Sequence, residues 1–144
     1  MVYSNNIQFK GRALGGEAMF ITIDEADARP IYVQVAEEIK ALIARGELSE
    51  GAQLPPVRQL ASDLGVNLNT VATAYRELQA EGLLNIRHGA GAVVASRTAR
   101  DKSEEELRKP LRAALTGLVL AGLPRVEIMN LVQSELRGLL KGAK

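Results

Sequence analysis

The 144-residue chain has no cysteine, no tryptophan and a single histidine, His88. Without a thiol there is no disulfide scaffold, no thiolate metal site and no cysteine nucleophile. One imidazole is too few for a metal site of the usual kind, which draws on several ligands, so neither metal nor cofactor is expected. Aromatic residues are only 3% of the chain, which leaves the core to Leu, Val, Ile and Ala. Long apolar runs are missing as well. The longest weakly polar stretch, Ala113 to Leu123, falls well short of the roughly 20 residues that span a bilayer. Met1 to Phe9 lacks the charged flank and apolar centre of an export signal, so a cytoplasmic location and no membrane partner are expected. There is no nucleophile elbow, no second His and no paired-carboxylate setting, and an enzyme is not expected.

What is present suits one domain with a short appendage: 47% hydrophobic and 24% charged residues, with a net charge of +1. From Ile31 to Ser96 the basic residues are Lys40, Arg45, Arg58, Arg76 and Arg87, against Glu37, Glu38, Glu47, Glu50, Asp63, Glu77 and Glu81. Acidic groups outnumber basic ones there. Any affinity for nucleic acid must rest on where these charges point, because a basic footprint is the usual signature.

Residues 1–18, with Gly11, Gly15 and Gly16, show no period and read as a flexible leader. Met19 to Asp24 reads as a short strand or a docking arm. A helix is expected from Pro30 to about Arg45, because Ile31, Val35, Ile39 and Leu42 recur at helical steps and Gly46 stops it. A second runs from Val57 to Leu64 and ends at Gly65; a third, capped by Asn67, reaches about Glu81 with Val71, Tyr75 and Leu78 inside. Tyr75 sits at core spacing. Leu83 to Arg87 and Ala92 to Ala95 flank His88-Gly89-Ala90-Gly91 and read as a hairpin. Residues 97–102 form a polar linker. Ser103 and Glu106 make a capping box that opens a helix, bent by Pro110; a last helix covers Arg125 to Leu140. The expected domains are therefore a leader (1–18), a head (19–96), the linker (97–102) and a helical tail (103–144).

The informative stretch is Val57 to Glu81. Two short helices meet at Gly65, with small Ala61 at their closest approach and Leu60, Leu64, Val66, Val71 and Ala74 sealing the corner. That is the layout of a helix-turn-helix, whose second helix enters the major groove. Residues off the apolar stripe, Asn69, Thr70, Thr73 and Arg76, are the groove-facing candidates: Asn and Arg can each bond a base edge twice, and Thr suits a phosphate or a thymine methyl. The expected fold class is mainly α with a small β-hairpin wing, a winged helix-turn-helix followed by a two-helix tail. A winged-helix module for protein contact, without DNA binding, is the alternative.

Pro30 to Val35, Gly51 to Ala61 (GAQLPPVRQLA), Leu64 to Leu78 (LGVNLNTVATAYREL), Gly82 and His88-Gly89-Ala90-Gly91 together resemble the GntR family of winged-helix regulators. The likeness covers about Met19 to Ala95. The short two-helix tail is similar to that of the YtrA-like subfamily, in which the tail pairs two chains. This resemblance implies a sequence-specific transcription regulator, a repressor that binds double-stranded operator DNA as a homodimer, with room for a small-molecule effector whose site is not legible. It implies DNA contacts at Arg58, Asn67, Asn69 and Thr70, and at His88 and Gly89 on the wing tip. Dimerisation is expected at Leu115, Leu118, Met129, Val132 and Leu136. The chain departs from the family pattern at Pro56, Leu68 and Ala72.

Overall fold

A computed structural model describes residues 6–12, 18–87, 91–96 and 102–140. The elements in chain order are β1 (Asn6–Arg12), β2 (Ala18–Asp24), α1 (Ile31–Ala44), β3 (Gln53–Leu54), α2 (Val57–Leu64), α3 (Leu68–Ala80), β4 (Leu84–Arg87), β5 (Gly91–Val94), α4 (Glu104–Leu120) and α5 (Arg125–Leu139). The described residues fall into two units, one up to residue 97 and one beyond it.

In the first unit, helical spacing sorts apolar residues inward. Val35, Ile39 and Leu42 of α1, Leu60 and Leu64 of α2, and Val71, Ala74, Tyr75 and Leu78 of α3 are essentially inaccessible to solvent. They share a single core with Leu54, Leu84 and Ala92 of the small sheet. Met19, Ile21 and Ile23 of β2 alternate along the strand and are all fully buried, which puts one face of β2 on α1. The buried amide of Gln34 fixes that join. It donates to the carbonyl oxygens of Asp24 (3.0 Å) and Arg29 (3.1 Å) and accepts from the Asp24 N–H (2.8 Å).

Two expectations need correction here. The leader at residues 1–18 is not without structure: residues 6–12 form β1, antiparallel to β2, with Ile7 opposite Ile23 and Phe9 opposite Ile21. A two-stranded ribbon gains its bonds from its partner strand, and the glycine-rich stretch between the strands hid a short alternation. The wing is also larger than a hairpin. β3 joins it as a third strand, in the order β3-β5-β4, with Leu54 opposite Ala92.

The second unit holds α4 and α5. Ser103 accepts from the Glu106 N–H and Glu106 accepts from the Ser103 N–H (2.7 Å), a complete capping box. That backbone bond holds the Glu106 carboxyl below its ordinary pKa. α4 continues through Pro110 as one helix. No residue of α4 or α5 is buried. Among the described residues no helix is long and apolar enough to cross a membrane.

Candidate nucleic-acid interface

The turn between α2 and α3 sets the geometry of the site. Gly65 closes α2 in the left-handed region (φ 67°), where a side chain would be strained. Its N–H and that of Val66 return to the carbonyls of Ser62 and Ala61. Asn67 then caps α3, its side-chain oxygen accepting from the Asn69 N–H at 2.8 Å. That oxygen already serves the helix start, and the amide nitrogen of Asn67 is its donor toward a ligand.

Burial of Val71, Ala74, Tyr75 and Leu78 turns the opposite face of α3 outward. Asn69 and Arg76 are exposed, and Thr70 and Thr73 are half-buried. The Arg76 guanidinium donates to the Thr73 hydroxyl at 3.2 Å, which aligns the two along the outer edge. Arg58, the second residue of α2, is also exposed. His88 and Gly89, expected at the wing tip, lie outside the described residues.

Among the described residues, the charges of this segment divide between paired and unpaired groups. Lys40 of α1 bridges to Glu81 (2.9 Å) and lies 3.8 Å from Glu37, and Arg45 pairs with Glu47 (3.1 Å). The three remaining arginines of the segment, Arg58 on α2, Arg76 on α3 and Arg87 on β4, are exposed and form no ion pair among the described residues. Cations without a carboxylate partner among the described residues thus sit on the helix-turn-helix and the wing, where exposed Asp63 of α2 and Glu77 of α3 also lie. Arg87 was not among the expected site residues. Its position at the end of a wing strand was the available signal.

Tyr75 links this surface to the core. Its side chain is 1% exposed and its hydroxyl donates to the Pro55 carbonyl at 2.7 Å. Burial pushes the phenol above its ordinary pKa, so it stays a protonated donor. The accepting carbonyl lies just ahead of α2, and the bond ties the start of that helix to α3. Tyr75→Phe would leave this buried carbonyl unpaired. The expected loss is about 1–3 kcal/mol of unfolding free energy, read from urea denaturation. A variant as stable as the parent would mean the carbonyl finds another donor.

In the tail, Leu115 and Leu118 of α4 and Val132 and Leu136 of α5 line one apolar groove together with Leu111 and Leu139. Met129 does not line it and is 48% exposed. The groove brings together four of the five residues expected at a dimer interface.

Comparison with known proteins gives the surface a context. Residues 31–94 match the family described as bacterial regulatory proteins, gntR family. The HTH-type transcriptional repressor YtrA of Bacillus subtilis is 39% identical over 75 residues, which are 52% of this chain and 58% of that one. The chain thus matches little more than half of YtrA. The HTH-type transcriptional regulator YhcF of the same organism is 32% identical over 118 residues, 81% of this chain and 89% of its own length. A crystal structure described as a transcriptional antiterminator from Listeria monocytogenes superposes with a TM-score of 0.77 at 32% identity, covering 87% of this chain and 95% of that one. A likeness that spans 89% of YhcF and 95% of the Listeria chain settles the matter: the chain belongs to the gntR family of bacterial regulatory proteins, DNA-binding transcription regulators built on a winged helix-turn-helix.

Proposed function

We propose that the chain is a cytoplasmic repressor that binds an inverted-repeat operator as a homodimer, with residues 19–96 as the DNA-binding head and 103–144 as the dimerising tail. The observation that carries this reading is the outward polar edge of α3, Asn69, Thr73 and Arg76, flanked by arginines without carboxylate partners among the described residues. In this reading α3 lies in the major groove, Arg58 and Arg87 hold phosphates, and Asn69, Thr70, Thr73 and Arg76 face base edges. The amide nitrogen of Asn67 and the wing tip at His88 and Gly89 extend the contact. Two heads related by a two-fold axis would meet successive major grooves about 34 Å apart, which makes the operator palindromic. Pairing of tails is supported by the apolar groove and by the absence of any buried residue on α4 and α5. A ligand that favours one spacing of the heads would act as effector through that same joint.

Selection of bound sequences from a random DNA pool at two salt concentrations tests the reading. A palindromic consensus with affinity falling steeply with salt is expected. Indifference to DNA would favour a protein-contact module instead. Two substitutions separate the roles within the site. Arg58→Ala is expected to cost about 1–3 kcal/mol on operator and scrambled duplex alike and to reduce the salt slope by about one. Asn69→Ala is expected to narrow the gap between operator and scrambled DNA. Fluorescence anisotropy on both duplexes reads the two effects, and the opposite pattern would exchange their assignments.

A further inference from the structure

We propose that Leu68 reads the C5 methyl group of thymine in the operator, an inference that rests on α3 being the recognition helix. The apolar residues of α3 divide sharply. Val71, Ala74, Tyr75 and Leu78 are at most 1% exposed, whereas Leu68, in the first turn, leaves 44% of its surface open. Among the described residues of the first unit, the other large apolar side chain this open is Ile86 (39%), on wing strand β4. The remaining exposed large apolar residues belong to α4, α5 and Leu140. Among the described residues of the head, exposed apolar surface of this size therefore lies on the two elements that would face DNA.

Neither the core nor the helix start accounts for Leu68. The core closes without it, and the cap of α3 is made by Asn67 through the Asn69 N–H. Ala72, one turn further on, carries only a methyl group and is itself half-buried, so it can cover little of Leu68. Asn69, which can bond a base edge, is exposed in the same first turn. This is the end of a recognition helix that reaches furthest into the groove. A leucine cannot bond to guanine, adenine or cytosine there. The one apolar feature on a major-groove base edge is the thymine methyl, and apolar side chains contact it by burying it. Removing one buried methyl group is worth about fourfold in affinity.

The test uses the full chain and the operator it selects. Each thymine of a half-site is replaced in turn by deoxyuridine, which lacks only the methyl group, and affinity is measured by anisotropy. For the parent, one position in the half-site is expected to lose about fourfold. Leu68→Ala, a helix-favouring change at an exposed site, is expected to bind the two duplexes equally, and Leu68→Met to retain the discrimination. A parent that tolerates deoxyuridine everywhere, or an alanine variant that still loses fourfold at that position, would overturn the role of Leu68 and leave the operator reading standing. A chain that selects no sequence at all would overturn both.

Discussion

Leu60→Ala is expected to destabilise the first unit by about 2–5 kcal/mol, among the largest single losses available in this chain. The reason lies in how little else holds α2. The helix has eight residues, too few to persist alone in water, and its N-cap, Pro56, makes no side-chain bond to the free N–H groups. Its attachment is mainly the burial of Leu60, Ala61 and Leu64, with half-buried Val57 and the Tyr75–Pro55 bond at its start, and Leu60 is completely enclosed. Truncation removes both the transfer energy of the side chain and the contacts of the atoms around the void. The three tyrosines, Tyr3, Tyr32 and Tyr75, all precede residue 97, so tyrosine fluorescence follows this unit and not the tail. The urea midpoint should fall with an unchanged slope. Gln59→Ala, at the exposed neighbouring position, should stay within about 0.5 kcal/mol of the parent. A loss below about 1 kcal/mol for Leu60→Ala would mean that the corner between α2 and α3 collapses onto the gap.

The helices were legible because their causes are local. The apolar steps of α1 and α3, the glycine after Leu64, and the Ser103–Glu106 pair each act within a few residues of where they are read. Boundaries held to within a residue: α1 ends at Ala44 where Arg45 was expected, and α3 at Ala80 where Glu81 was expected. Strands were harder, because their cause is distant. β3 is two residues long and exists because Gln53 and Leu54 meet Val93 and Ala92, some forty residues away in the chain. No period can be read from two residues. β1 likewise depends on pairing with β2 across the stretch between them.

The candidate site shows the same division. Which residues of α3 point outward followed from which ones the core takes, so Asn69, Thr73 and Arg76 could be named from spacing alone. The electrostatics could not. A regional excess of acid argues against DNA, and the pairing of Lys40 with Glu81, 41 positions away, leaves that sum unchanged; what folding adds is place, with Arg58, Arg76 and Arg87 exposed and without carboxylate partners among the described residues. A charge count sums over a segment, whereas a duplex meets one face of it. Leu68 was visible only as a departure from a pattern, and its exposure needed the core to be seen closed without it.

Leu136→Asp is expected to turn the proposed dimer into a monomer, because the described residues of the tail bury none of their own apolar side chains. Leu107, Leu111, Val119, Leu120, Met129, Leu131 and Leu136 are all 43% exposed or more, and no residue of either helix is buried. In the proposed homodimer, two helices of 17 and 15 residues with that much open apolar surface would gain stability by closing on a partner. In the proposed homodimer a carboxylate at position 136 would enter the closed face twice, once per chain, at several kcal/mol of desolvation for each ion. Sedimentation should then report the 15.5 kDa chain instead of twice that mass. Affinity for the full inverted repeat should fall at least about a hundredfold, since linking two heads raises binding through effective concentration alone. Affinity for a single half-site should stay as it was, because the head is untouched. A dimer that survives the substitution would place the interface on another face of the tail; a matching loss on the half-site would trace the defect to the head instead.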